Sequence, residues 1–279
     1  NTTHKSVPML LSQASASDFE RLFHEKGILQ AFREAGFHTV FLSNQRPNHS
    51  FIDFLGEQAD QWLFLKTGDA NPAGRELAEA PGKDGNYYDA DLLPILDRIL
   101  AQKRKKEFIV LHTYGSHFNY MDRYPRQMAH FQPDTHCEAK KENRPDLINA
   151  YDNTIAYTDR FLAQAIGWLQ QREQGNDTAL LYVSDHGESL GEYGLFLHGM
   201  PYAMAPDVQK HVPMVAWLDG GLLRRGRLSS SCLSAGTDAP LTHDNLYHSM
   251  LGLLDVQSPT YRRPMDAFDG CRGAALALK

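Results

Sequence analysis

Cysteine is scarce in these 279 residues: Cys137, Cys232 and Cys271 are too few and too far apart for a zinc knuckle or a Cys-x-x-Cys redox pair. Long hydrophobic runs are also missing. Stretches such as residues 212–218 fall far short of the ~20 residues that span a bilayer, and no signal-peptide pattern opens the chain, so it reads as a soluble piece. Nor is there an excess of positive charge. With 28 Lys and Arg against 34 Asp and Glu, the formal charge is -6, which leaves no basic field for a nucleic-acid backbone and argues against that partner. No internal repeat or low-complexity tract interrupts the chain. What is present, 42% hydrophobic and 22% charged residues, is the composition of an ordinary globular protein with a sizeable core.

Strand and helix patterns alternate along it. Residues 18–35 carry apolar positions at helical spacing up to Gly36, and residues 37–42 follow as a strand. Residues 91–100 predict a second helix, closed by the basic run 103–106, and residues 108–111 a buried strand. A third helix is expected over about 147–171, with Ile155, Leu162, Ala165, Ile166 and Leu169 on one face, followed by a strand at 179–183. Residues 212–218 give a further strand, and Thr242-His-Asp-Asn has the composition of a helix N-terminus. This order predicts a mostly parallel sheet covered on both faces, with functional loops at the carboxyl ends of its strands. The longest loops fall at 67–88, 114–145 and 186–211, while residues 222–238 read as a solvated excursion without a function of its own.

Three segments carry chemistry. Tyr182-Val-Ser-Asp-His-Gly-Glu places Asp185 and His186 together just past a strand, a carboxylate and an imidazole that suit a divalent metal, zinc in particular. Asn1-Thr-Thr-His puts threonine hydroxyls at the start, either as ordinary N-cap or loop residues or as a nucleophile whose pKa a metal lowers. Leu111-His-Thr-Tyr-Gly-Ser-His117 sets His117 beyond another strand end. For the thiols, free buried cysteines stand against a single Cys232–Cys271 bridge, which requires an oxidising compartment; the bridge, with Cys137 free, is the expectation.

Together with Asn149-Ala-Tyr-Asp-Asn-Thr154, Leu197-His-Gly-Met-Pro-Tyr202, Val212-Pro213 and Thr242-His-Asp-Asn-Leu246, these segments resemble the phosphoethanolamine transferases over essentially the whole chain. That family decorates lipid A or core lipopolysaccharide and includes the transferable colistin-resistance enzymes. The resemblance implies an alkaline phosphatase/sulfatase-like α/β/α sandwich with a mostly parallel central sheet. It implies Thr3 as nucleophile, because that threonine precedes Ser6-Val-Pro by three positions, and Asp185 and His186 as ligands of a primary Zn²⁺ with Thr3 beside them. His117 and His198 match histidines that act on the substrate phosphate or on a second, transient metal, and Asn44 matches a substrate-binding asparagine more loosely.

The implied reaction moves phosphoethanolamine from phosphatidylethanolamine through a Thr3 adduct to lipid A or another glycan acceptor, at the periplasmic face of the bacterial inner membrane. Family members carry a transmembrane domain and a first catalytic strand ending in a metal-binding glutamate, and neither is present before Asn1. Residues 1–279 therefore read as a monomeric catalytic domain lacking its first strand and membrane anchor. The alternatives are a phosphoglycerol transferase or phosphodiester hydrolase of the same superfamily, or a non-catalytic periplasmic binding module.

Overall fold

Strand β1 (His38–Ser43) has helices on both sides because its alternate residues enter two different cores. Phe41 joins a cluster with α1 (Thr3–Leu10), α2 (Ile28–Glu34), α3 (Phe51–Gly56) and α9 (Asp244–Leu253). Val40 and Leu42 join another with α5 (Leu92–Ala101) and α6 (Arg144–Gln170). Strands β2 (Gln61–Phe64) and β4 (Glu107–His112) flank β1 in parallel, and β3 (Asp69–Ala70) closes the edge antiparallel, in the order β3-β2-β1-β4. The computed structural model describes residues 1–77, 87–136, 138–171 and 177–273, so Cys137 and part of the 67–88 loop lie outside the described residues. The architecture is the expected α/β/α sandwich.

Several local expectations change. The 18–35 helix is divided into a 3-10 turn (Phe19–Phe23) and α2, because Gly27 brings the backbone so close to α3 that a Cβ there would lie 2.7 Å from Leu55 Cδ2. Strand β2 and helix α4 (Pro72–Arg75) were not foreseen at all. On α6 the buried stripe is Leu147, Ala150, Thr154, Tyr157, Phe161 and Ala165, and Ile155 is 47% exposed. Strand β8 (Met214–Leu218) pairs antiparallel with β5 (Ala179–Val183). The intervening residues hold only the β6–β7 hairpin (Ser189–Leu190, Phe196–Leu197) and short turns; without a crossover helix the chain returns in the opposite direction.

Residues 222–238 are not merely a solvated excursion. They contribute to α7 (Gly220–Arg225) and α8 (Ser230–Ala235), and Leu222 and Leu228 pack with Leu253 and Phe268. The expected Cys232–Cys271 disulfide ties α8 to the C-terminal segment. Between β4 and β5 there is no strand among the described residues. Both line a cavity of about 1530 Å³, and every β4 residue but Phe108 and all five of β5 are only half-buried. No helix among the described residues is long and apolar enough to cross a membrane.

Candidate active site

Helix α1 begins at Thr3, with Thr2 extended at its N-cap and the Thr2 carbonyl accepting from the Lys5 and Ser6 amides at 2.9 Å. This puts Thr3 Oγ1 at the positive end of the helix, a favourable place for an alkoxide or a phosphate. From the end of β5, His186 meets it: Nε2 lies 3.0 Å from Thr3 Oγ1. His186 Nδ1 donates to the Gly187 carbonyl at 3.0 Å, so the Nε2 lone pair faces the threonine hydroxyl. Gly187 is required by close packing, since a Cβ would lie 2.0 Å from the Val208 carbonyl oxygen.

Asp185 Oδ2 is 3.5 Å from His186 Nε2, buried, and without a hydrogen-bond partner among the described residues. His112 at the end of β4 also keeps an unpartnered buried atom, Nε2, while its Nδ1 hydrogen-bonds Ser43 Oγ at 2.9 Å. Burial pushes the His112 pKa down to about 4, against the opposing pull of Asp185, so the ring is neutral at pH 7. A carboxylate oxygen and an imidazole nitrogen converge beside a hydroxyl, and no donor among the described residues satisfies that buried carboxylate oxygen; the set fits a zinc ion.

Beyond His186 the imidazoles continue in a line. The His198 ring centroid is 3.9 Å from that of His186, and His117 is 5.5 Å from His198. His198 Nδ1 donates to Glu188 Oε1 at 2.6 Å, which leaves Nε2 for a ligand, and Glu188 Oε2 accepts from the buried Tyr120 hydroxyl at 3.1 Å. Ligand atoms of His186, Glu188 and His198 lie within 4.8 Å of one another, a second place where a cation could sit. His117 Nδ1 hydrogen-bonds the Phe118 carbonyl; burial is the main cause of its lowered pKa, with Arg123 adding to the effect.

Asn44 is 1% exposed and its amide points elsewhere: Nδ2 donates to Asp89 Oδ1 at 3.1 Å and to the Tyr87 carbonyl at 3.3 Å. Asp89 in turn accepts from the Tyr114 and Gly115 amides at 2.8 Å, so Asn44 braces the loop that carries His117. Four further residues hold the site. Besides His112 and Glu188, His243 donates from Nε2 to the Ser184 carbonyl at 3.0 Å, and fully buried Gln209 accepts from Asn1 while donating to Ser189 Oγ and the Leu197 carbonyl. His112, Glu188 and His243 stood inside the motifs read from the sequence; what was missing there was their direction.

The sulfatase family matches residues 1–256. Over 275 residues the chain is 36% identical to the phosphoethanolamine transferase EptA of Salmonella typhimurium, covering 96% of this chain and 47% of that protein. Over 263 residues it is 33% identical to the phosphatidylethanolamine transferase Mcr-1 of Escherichia coli, covering 91% and 45%. The chain thus spans about half the length of the curated relatives it matches. The soluble domain of lipooligosaccharide phosphoethanolamine transferase A from Neisseria meningitidis superposes with a TM-score of 0.84 at 31% identity, covering 98% of this chain and 79% of that one. The sandwich is therefore the alkaline phosphatase/sulfatase fold, and the chain belongs to the sulfatase family, among its phosphoethanolamine transferases.

Proposed function

We propose that this chain catalyses zinc-dependent transfer of phosphoethanolamine from phosphatidylethanolamine to lipid A or a related glycan, with Thr3 as the nucleophile. The observation that carries this reading is the Thr3 hydroxyl 3.0 Å from His186 Nε2, beside the unpartnered Asp185 Oδ2. Asp185, His186 and Thr3 would hold the ion. When bound, it supplies positive charge that lowers the pKa of the threonine hydroxyl and offsets negative charge on the phosphoryl oxygens.

In the first half-reaction the Thr3 hydroxyl gives up its proton to water and Oγ1 bonds to phosphorus as the bond from phosphorus to the diacylglycerol oxygen breaks. His198, oriented by Glu188, hands a proton from Nε2 to that leaving oxygen, and His117 hydrogen-bonds a phosphoryl oxygen. In the second half an acceptor oxygen bonds to phosphorus and gives its proton to His198, while the bond from phosphorus to Thr3 Oγ1 breaks and Oγ1 recovers a proton from water. Asn44, through Asp89, keeps the His117 loop in place against the substrate.

In this reading the chain is the periplasmic catalytic domain of a longer, membrane-anchored protein, and a preceding strand enters the gap between β4 and β5. The half-exposed edges of both strands and the unpartnered atoms of His112 and Asp185 at the carboxyl end of that gap support it. The strand would end beside Asp185 and add a carboxylate to the metal site. Mass spectrometry of the full-length protein after exposure to phosphatidylethanolamine tests the function: a phosphoethanolamine adduct on Thr3 that moves to lipid A is expected. Release of free phosphoethanolamine instead would identify a hydrolase, and an adduct on Thr2 would displace Thr3.

A further inference from the structure

On the same carboxyl edge of the sheet, outside the Thr3 site, two cations lie over one aromatic ring and a third stands near them. Lys66 Nζ lies 4.7 Å from the Tyr114 ring centroid and Arg123 Cζ lies 4.1 Å from it. Arg46, just past β1, is close enough that it and Arg123 both press the Lys66 pKa down, in addition to burial. Tyr114 follows β4 and Lys66 follows β2, so three parallel strands deliver this cluster to one edge.

Asp122 and Asp89 offset part of this charge at a distance, but neither is ion-paired to these cations among the described residues. Asp89 is committed to the Tyr114 and Gly115 amides and to Asn44, and its own pKa is raised, chiefly by burial. Asp122, the other nearby carboxylate, is exposed. Holding the half-buried Lys66 and Arg123 together, with exposed Arg46 beside them, is unfavourable unless an anion joins them. The cluster is also connected to the nucleophile. From Tyr114 the rings run to His117 (6.1 Å), to His198 (5.5 Å) and to His186 (3.9 Å), which touches Thr3.

We infer that Arg46, Lys66 and Arg123 form an anion subsite for the acceptor, binding a phosphate that is not the one being modified. This rests on the proposed function, because it presumes an acceptor that brings a second anionic group to the Thr3 site. Tyr114 is the platform: its face accepts the two cations and keeps them in place while their free hydrogen-bond donors remain available to phosphate oxygens. The ammonium and guanidinium heads suit phosphate oxygens, and among the described residues neither is ion-paired to a carboxylate, Asp122 acting on both only at longer range. An acceptor with two phosphates would thus be held at both ends, one phosphate at Thr3 and one at the cluster.

The test uses the full-length protein in detergent, with two probes: a glucosamine disaccharide carrying phosphates at both ends and the same disaccharide carrying one. Calorimetry should give about tenfold tighter binding of the bisphosphate, a preference that weakens with salt. Lys66→Gln and Arg46→Gln should each remove most of that preference, Lys66→Arg should retain it, and adduct formation on Thr3 from phosphatidylethanolamine should be unchanged in all three. Arg123 is left intact because its guanidinium also donates to the His117 and Phe118 carbonyls. Equal binding of the two probes by the unmodified protein, or unchanged preference in both Gln variants, overturns the inference. Loss of the Thr3 adduct in those variants also overturns it, since the cluster would then serve the donor. If Thr3 never takes up phosphoethanolamine but the bisphosphate preference persists and depends on Lys66 and Arg46, the proposed function fails and the anion subsite stands.

Discussion

His198 ends a chain of hydrogen bonds that runs from the Tyr120 hydroxyl through Glu188, whereas Asp185, beside the neighbouring His186, and His112 each keep a buried polar atom without a partner among the described residues. The two halves of the site share one strand edge and one row of imidazoles, yet one is satisfied by its own side chains and the other is not. Burying an unpaired carboxylate oxygen is costly, so the second half is arranged for something that binds there, while the first is arranged to hold a ring still. The incomplete half borders the cavity between β4 and β5.

Measurements on the site, and then away from it, break or sharpen that contrast. The largest effect belongs to the nucleophile: Thr3→Ala should lower transfer by at least about a thousandfold while the protein stays folded, with Thr3→Ser retaining part of the activity. Asp185→Asn on the same half should lose the tightly bound zinc measured by elemental mass spectrometry, whereas His198→Ala should keep it. Retained zinc in Asp185→Asn would erase the difference between the halves.

Next comes the satisfied half. Glu188→Gln should reduce transfer by about 10- to 100-fold with zinc content unchanged, because the amide no longer supports the His198 ring as a carboxylate does. Rates equal to those of the unmodified enzyme would make the Glu188–His198 pair a packing feature only.

A third test concerns pH and lies away from the site. His248 in α9 is 4% exposed, and burial pushes its pKa to about 4, with Arg262 and Arg21 adding to the depression. A histidine whose folded pKa is depressed binds fewer protons than the unfolded chain between about pH 4 and the ordinary value near 6.5, so stability falls as pH drops through that window. The thermal midpoint should decline on acidification from pH 7 to 5, and His248→Asn, which keeps an acceptor for the Arg262 amide, should flatten the decline. An unchanged slope would assign it to other groups.

The smallest effect on activity is expected from the disulfide. Cys232→Ser with Cys271→Ser removes a link between residues 39 apart, worth about 4 kcal/mol in a chain-entropy estimate before strain. Unfolding in urea should shift accordingly while transfer at 25 °C is preserved, because α8 and the C-terminal segment pack in the Leu222–Leu228–Phe268 cluster, which contains none of Thr3, His117, His186 and His198. A loss of transfer in the folded variant would tie this cluster to the site.

How much of this was legible beforehand depended on the range of the interaction concerned. Local periodicity located β1, β4, β5, α5 and α6 within a few residues, because the sheet is buried between two helix layers and each element repeats its own pattern. It failed at Gly27, where a contact with Leu55 interrupts a helical pattern, and at β2, whose four residues are too short to show a period. It also misplaced Ile155, since the stripe α6 buries is set by what packs against it.

By itself, then, the sequence determined which chemical groups stand at the strand ends, Asp185 and His186 after β5 and His117 after β4, and that two threonine hydroxyls stand near the start; the helix α1 that Thr3 heads came from the structure. Only the tertiary structure decided that Thr3 meets His186 across 183 positions, that Glu188 turns back to His198, that Asn44 faces Asp89, and that Lys66 and Arg123 share the Tyr114 ring. The physical reason is that side-chain direction at a loop is fixed by burial and hydrogen bonds to distant segments, which carry no periodic trace along the chain.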